Sequence, residues 1–454
     1  MKRMKRLIVI GLAACLMTGC GIYKPYSRPE VMTDSLYRDV QAEEDTLSLA
    51  ALSWRELFRD KQLQGLIEQG LRQNTDLRIA RLRVEEAEAV LMNARLSYLP
   101  SVSLAPEGTV GRYEGATSRT YDLKAAASWE VDIFGKVTNA ARGAKAALEG
   151  SRAYEQAVQT QLVATIATAY YTLLMLDKQL DINENTLKNW EKTVETLEAL
   201  KRAGRTDDAA VLQAKANRMT LEASVLSVRK SIRATENSLS ALLAMAPQHI
   251  NRGTLDGQEF PEELAVGVPV QLLSNRPDVK QAEQGLAQAF YATNAARSAF
   301  YPAITLSGAA GWTNNGGGVI LNPGSWLLSA VGALTQPLFN KGANIANLKV
   351  AKARQEEATL LFRQSVLDAG KEVNDALEQC QTAQARIKIG TRQVDTLQEA
   401  VRKTELLMRH STTNYLEVLT AQQSLLDAKL MLAQDVFDKV QGIINLYHAL
   451  GGGV

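Results

Sequence analysis

Between residues 362 and 408 the apolar positions step by four and three without a slip: Phe362, Val366, Ala369, Val373, Ala376, Cys380, Ala383, Ile387, Gly390, Val394, Leu397, Val401, Thr404 and Met408. That is the 3.5-residue period of a coiled coil. A second run, Leu162, Ile166, Ala169, Leu173, Leu176, Leu180, Asn183, Leu187, Trp190, Val194 and Leu197, keeps the same alternation. No proline falls between Pro106 and Pro247 or after Pro337, so nothing interrupts either helix. The pattern predicts two helices of roughly 60 residues, about 90 Å each. Cys380 lies on a seam and reads as a small buried apolar residue.

Each long helix meets a turn. In KRAGRTDDAAVLQA, Gly204 can end the first, and Thr206 or Asp207 can cap the next. In MRHSTTNYLEVLTA, Ser411, Thr412 or Thr413 can cap. VLQA and VLTA follow at matching places. Each copy therefore ends in a helical hairpin with arms of about 60 and 40 residues.

The stretches before these helices change period. In YDLKAAASWEVDI, Tyr121, Leu123, Ala125, Ala127, Trp129, Val131 and Ile133 face one way, and Asp122, Lys124, Ser128, Glu130 and Asp132 the other. Strict alternation is a strand with one apolar and one polar face. SVSLAPEGTVGRY before it is a weaker partner, and Pro106 argues for an edge position or a local irregularity there. AITLSGAAGWT and SWLLSAVGALTQP flank a Gly-rich turn, NNGGG, and form a second strand pair. The segments RLSYLPSVSLAPEGTV (95–110) and RSAFYPAITLSGAAGW (297–312) open the two pairs with the same order of Arg, aromatic and Pro. Two copies of one unit are expected, with Pro100 and Pro302 at the changes from helix to strand.

Strands of this length suit a tilted membrane crossing. Four per chain cannot close a membrane barrel, because such barrels begin at eight strands, and an open edge in lipid leaves backbone groups unpaired. Either the strand pairs are soluble and need a cover, or several chains share one barrel. Two chains would supply eight strands and three would supply twelve.

Composition narrows the class. The 454 residues carry a net charge of +2, without the basic bias of a nucleic-acid binder. His249, His410 and His448 have no ligand spacing, and three Cys spell neither a zinc cluster nor a disulfide framework. No cofactor or metal site and no nucleophile–base arrangement is expected, so the chain does not read as an enzyme. MKRMKR followed by LIVIGLAACLM and TGC reads as an export signal too short to span a bilayer. Cys20, after MTG, fits a lipid-acylation box, with Met17 where Leu is usual; Cys15, after LAA, is a second fit.

SWEVDIFGK (128–136) resembles the W-x-x-D-x-x-G-K/R signature of outer-membrane efflux factors, the TolC-like channels. VPVQLLSNRPDVKQAE (268–283) resembles their L-P-x-x-L-L-x-R-R-P-D-I-x-x-A-E hallmark, with Asn275 replacing the first Arg. AFYPAITLSG, QPLFNKG and the YSRPE segment after Cys20 are similar to further family motifs, in order along the chain.

The resemblance implies an α+β membrane protein. Three chains would form a twelve-stranded outer-membrane barrel, four strands each, continued by a coiled-coil periplasmic tunnel. A mixed equatorial region would be built from roughly residues 40–70, 180–195, 245–275 and 385–400. The expected division is a lipoprotein signal at 1–19 and an extended segment at 20–60. A first repeat at 61–260 would hold a strand hairpin at 101–133 and a helical hairpin at 137–245. A second at 261–454 would hold the counterparts at 303–338 and 342–450. The implied function is the exit duct of a tripartite efflux pump, passing drugs or other small toxic solutes. Its partners would be two further copies, a periplasmic membrane-fusion adaptor, an inner-membrane RND-type transporter and outer-membrane lipid, and no nucleic acid. A type I protein-secretion duct of the same fold, or a periplasmic coiled-coil lipoprotein without a pore, remain as alternatives.

Residue by residue, the resemblance places lipidation on Cys20 and adaptor docking on two tips. These are Gly204, Arg205 and Thr206, and Ser411, Thr412 and Thr413, where Ser411 departs from a usual Gly. It places a periplasmic gate at Tyr415, Leu416, Glu417 and Thr420. Leu416 matches an apolar ring, Glu417 a carboxylate ring, and Thr420 departs from a second carboxylate.

Overall fold

The computed structural model describes residues 23–31, 36, 52–113, 115–258, 260, 275–313, 325–409 and 415–452. Cys15, Cys20, the hallmark stretch 268–274, the Gly-rich turn and Ser411, Thr412 and Thr413 lie outside them. The elements in order are α1 (Trp54–Leu57), α2 (Lys61–Gln73), α3 (Thr75–Leu96), β1 (Ser101–Tyr113), β2 (Ala116–Val131), α4 (Lys136–Arg202), α5 (Asp208–Leu242), α6 (Pro277–Ser298), β3 (Ala303–Thr313), β4 (Ser325–Thr335), α7 (Ala343–Arg409) and α8 (Tyr415–Ala449). The long helices run 67 residues and their partners 35, in both halves. The seams thus run further, and the return arms stop sooner, than the hydrophobic pattern suggested. No described helix is long and apolar enough to cross a membrane. The chain divides into a unit holding the strands (Met1–Glu30, Leu82–Ala153, Lys280–Gln364) and a helical unit (Val31–Arg81, Tyr154–Val279, Ser365–Val454).

In the first unit the strands form one antiparallel sheet in the order β1-β2-β3-β4. Pro106 sits on β1, an edge strand of the described sheet, opposite Leu123, a position in which proline is tolerated. The register aligns Leu104, Ala125, Ala310 and Leu328 in one row across the sheet, and Pro106, Leu123, Trp312 and Trp326 in the next. Since alternate residues share a face, these rows form an apolar band, bounded at the far end of β1 by Arg112 and Arg119; its Trp312 and Trp326 rings lie 4.8 Å apart. The other carries Ser103, Glu107, Asp122, Lys124, Ser128, Thr305, Ser307 and Ser329, and Lys124 bridges Glu107 at 3.3 Å and Asp122 at 3.7 Å. Much of the apolar band is exposed: Val102 is 74% exposed, Leu104 71% and Leu328 84%.

In the helical unit the seams are the buried rows. Phe362, Val366, Ala369, Val373, Ala376, Cys380 and Ala383 are buried, and the seam from Ile387 to Met408 is buried or half-buried. On α4 the buried band is wider than a seam between 162 and 176, where Val163, Ala167, Tyr170, Tyr171 and Leu174 join it. Phe58 and Tyr447 pack on Tyr171 and on Phe58 respectively, so this stretch is covered from more than one side. Each large apolar side chain buried there stabilises the fold by about 1.5–3 kcal/mol. Helix α8 approaches α7 at Gly442, where an added Cβ would lie 2.7 Å from Cys380 Sγ and 3.1 Å from its amide nitrogen. Burial pushes the Cys380 thiol up to about 11, so it stays protonated and inert.

Candidate functional site

The signature SWEVDIFGK builds the corner between β2 and α4. Asp132 accepts from the Val137 and Thr138 amides at 2.8 and 2.7 Å and from the Thr138 hydroxyl at 2.6 Å, capping a helix whose first amides have no partner of their own. Trp129 donates its indole N–H to the Tyr98 carbonyl at 3.0 Å, and Lys136 pairs with Glu130 at 2.9 Å. Phe134 stacks on Tyr301, centroids 4.8 Å apart, which ties this corner to the AFYPAITLSG motif of the second half. An N-terminal strap lies on the same unit. Arg28 grips Glu283 through two hydrogen bonds of 2.7 and 2.6 Å, and Tyr26 meets Phe290 edge-on at 5.7 Å.

The second hallmark, RPD, closes the helical unit. Arg276 is buried and donates to Asp278 at 2.9 and 2.5 Å and to the Ala449 carbonyl at 3.0 Å, with Glu372 at 2.7 Å. It therefore holds the C-terminal end of α8 against the start of α6's first turn and the middle of α7. Burial opposes ionisation of Asp278, but hydrogen bonds and charge from Arg276 outweigh it and hold the carboxyl below its usual range. Beside it, burial and the Arg276 charge push His448 below the usual imidazole range. A second buried cluster pins the loop after α5: Arg252 pairs with Asp177 and Glu236, both at 2.5 Å. Burial raises and Arg252 lowers the Glu236 carboxyl, with a net shift downward. Neither arginine was singled out as a site by the sequence, because their partners lie up to 173 residues away.

The expected gate residues start α8. Tyr415 packs half-buried on a cluster holding Trp190, Val194, Leu197 and Leu419. Leu416, Glu417 and Thr420 are exposed together on the opposite side of that turn, while Val418 and Leu419 are buried. Gln422, one turn further, donates to Glu405 of α7 at 3.0 Å and to Thr193 of α4 at 3.3 Å, so one side chain ties three helices; the sequence reading did not single it out.

At the first tip, Gly204 adopts a left-handed φ of 71°, and the Arg205 amide reaches back to the Leu200 carbonyl at 2.9 Å. This is a Schellman ending, which favours glycine. Asp207, not Thr206, caps α5 by accepting from the Ala210 amide at 2.9 Å. Arg205 is exposed and Thr206 half-buried. Among the described residues no three His, Cys, Asp or Glu side chains gather as metal ligands.

The family model for outer membrane efflux proteins matches residues 66–245 and 268–452. The chain is 29% identical to the cation efflux system protein CusC of Escherichia coli K12, over 97% of this chain and 98% of that protein. It is 28% identical to the toluene efflux pump outer membrane protein TtgC of Pseudomonas putida, over 99% and 96%. Its fold superposes on the CusC crystal structure with a TM-score of 0.86 at 27% identity, covering 95% of this chain and all of that one. The open-state MtrE outer membrane channel of Neisseria gonorrhoeae gives 0.85 at 28% identity, covering 96% and 98%. The match spans both signatures, the four strands and both helical hairpins, and the chain belongs to the outer membrane efflux protein family.

Proposed function

We propose that the protein is the passive exit duct of a tripartite efflux pump, in which three chains close a twelve-stranded outer-membrane barrel. One observation carries this: a four-stranded sheet whose apolar face is largely exposed and whose β1 and β4 edges are unpaired among the described residues. Lipid covers such a face, and only closure satisfies such edges in lipid. A coiled-coil lipoprotein without a pore leaves Trp129 and Leu328 uncovered. The polar face of Ser, Thr and charged residues then faces water inside the barrel. An inner-membrane RND-type transporter supplies the energy and a periplasmic adaptor meets the hairpin tips, at Gly204, Arg205 and Thr206 and at Ser411, Thr412 and Thr413. Cys20 is acylated.

The gate lies at the first turn of α8. Leu416 forms the dry constriction and Glu417 a ring of three carboxylates, while Tyr415 holds the turn on its own chain and Thr420 leaves a second ring uncharged. Like charges about 4 Å apart repel by roughly 1 kcal/mol per pair in bulk water and by more in a narrow pore. Purified protein in planar bilayers tests the reading. The parent should conduct in small steps, and Leu416→Ala with Glu417→Ala should conduct more and weaken block by multivalent cations. A trimer without conductance in parent and variant sinks the duct; equal conductance in both places the gate elsewhere.

A further inference from the structure

The strands of the first hairpin outrun those of the second. β2 pairs with β3 only from Asp122 to Val131, while β1 and β2 stay paired as far as Tyr113 and Ala116. A two-stranded ribbon therefore extends past the described end of β3. On its apolar side the last rows are Val110 opposite Arg119 and Arg112 opposite Thr117. Both arginines are exposed, and Val110 beside them is 74% exposed. Arg112 and Arg119 are diagonal neighbours on one face, about 7–8 Å apart at the backbone. Two guanidiniums and the Thr117 hydroxyl can thus converge on one point.

The charges of this hairpin are sorted by face. Glu107, Asp122 and Glu130 alternate onto the polar side, where Lys124 bridges the first two. On the apolar side the cations stand only at the turn end. Among the described residues, the other end of that side carries Trp129, Val131, Ile304 and Leu334 and no charge.

The arginines mark a level. An arginine on the lipid face of a barrel is costly at the bilayer midplane and nearly free at the interface. From Val102 to Val110 the apolar side of β1 climbs about 27 Å along the strand, or about 21 Å of height at a tilt of about 40°. A membrane barrel carries an apolar band about 25 Å tall. Val102 then lies at one boundary of the hydrocarbon, and Arg119 and Arg112 lie at the other, among headgroups.

We propose that Arg112, Arg119 and Thr117 form a docking site for a phosphate of an outer-leaflet glycolipid, the lipid A part of lipopolysaccharide. Guanidinium forks match phosphate oxygens in pairs. Two like charges at this spacing repel, and a phosphate between them replaces repulsion with attraction. Val110 and, one row down, Tyr121 offer the acyl chains an apolar flank. The occupant follows from the one-sided placement of the cations. Helices α3 and α4 join these strands at the opposite end, so the turn end faces the outer leaflet in the duct proposed above, on which this site rests. That leaflet carries the phosphomonoesters.

Native mass spectrometry of the full-length protein in detergent with EDTA, titrated with bisphosphorylated lipid A, tests the site. The parent should take up the lipid. Arg112→Gln with Arg119→Gln should weaken uptake about a hundredfold, about tenfold per arginine, and Arg112→Lys with Arg119→Lys should recover part of it. Lys124→Gln, on the polar side, should bind like the parent. Lipid A stripped of its phosphates should bind parent and glutamine variant alike, and more weakly than the bisphosphorylated form. Equal uptake of bisphosphorylated lipid A by parent and glutamine variant overturns the site. Displacement of the lipid by inorganic phosphate makes it a free-anion site and overturns the lipid assignment. Loss of the trimer in the glutamine variant assigns the arginines to a neighbouring copy instead. Single-channel conductance in phosphatidylcholine bilayers separates the two readings. A parent that conducts without phosphate-dependent uptake overturns the lipid site alone, and a parent that does not conduct overturns the duct and the site with it.

Discussion

Replacing Arg276 by Met should loosen the C-terminal end of α8 by a measurable amount. The guanidinium is 4% exposed and its partners Asp278 and Glu372 are 46 and 47% exposed. Breaking a buried charge pair costs about 3–5 kcal/mol. Here both carboxylates can rehydrate, which places the loss at the lower end, about 3 kcal/mol. The Ala449 carbonyl also loses its donor. The amides of Leu450, Gly451 and Gly452, now bonded to Leu446, His448 and Tyr447 at 3.0, 2.9 and 2.9 Å, report the change. If these bonds open through release of this end, about 3 kcal/mol is an acceleration of about 150-fold in hydrogen exchange. Hydrogen-exchange mass spectrometry on peptides covering 440–452 measures it. Arg276→Lys should fall between, because an ammonium restores charge but not the fork reaching Asp278, Glu372 and a carbonyl together. Acceleration below about tenfold in the Met variant would refute the view that Arg276 holds this end of the helix.

Three further outcomes follow from other contacts. Burial, opposed by Arg386 and reinforced by Asp438, holds the Asp435 carboxyl above its usual range, so its native charge is a cost at neutral pH that fades on acidification; Asp435→Asn should raise the thermal midpoint at neutral pH and not below the carboxylate range. Glu236 is shifted the other way: its stabilisation is present above the ordinary carboxylate value and lost as pH falls through the lowered one, so Glu236→Gln should cost stability at neutral pH only, and a parallel pH profile for the two variants contradicts both assignments. Gly442→Ala should cost about 1–3 kcal/mol by overpacking, and Cys380→Gly in the same chain should recover part of it, since the nearest atom is Cys380 Sγ at 2.7 Å; strict additivity would show that the two do not meet. Intact mass of the mature N-terminus should show acylation that disappears in Cys20→Ser, and an unmodified chain beginning elsewhere would refute lipidation there.

The seam of α7 was legible because one side packs and the rest is solvated, so burial follows the heptad from Phe362 to Val394. Around Tyr170 and Tyr171 it was not, because aromatic neighbours from distant segments widen the buried band, and period reports only one contact face at a time. The alternation of β2 announced its two faces, whereas β1 hid them: Pro106 and the small residues of its polar face weaken the contrast until the register with β2 aligns Leu104 with Ala125. Gly204 was readable because only a left-handed position explains a glycine at that helix end. The reach of Arg276 to Ala449, and the tie of Gln422 to α4 and α7, depend on tertiary approach and leave no local trace.

The N-terminal strap bears on the order in which the chain folds. Arg28 is gripped by Glu283, 255 residues later, and Tyr26 rests on Phe290. A chain delivered from its N-terminus presents the strap first, yet its docking surface is made only once α6 has emerged. Closing so long a loop is slow compared with forming the local helical hairpins. The strap therefore stays a free leash while the first hairpin forms, and it seats only after the second half arrives. Its docking marks a late event in maturation, and a strap that grips early would have to let go.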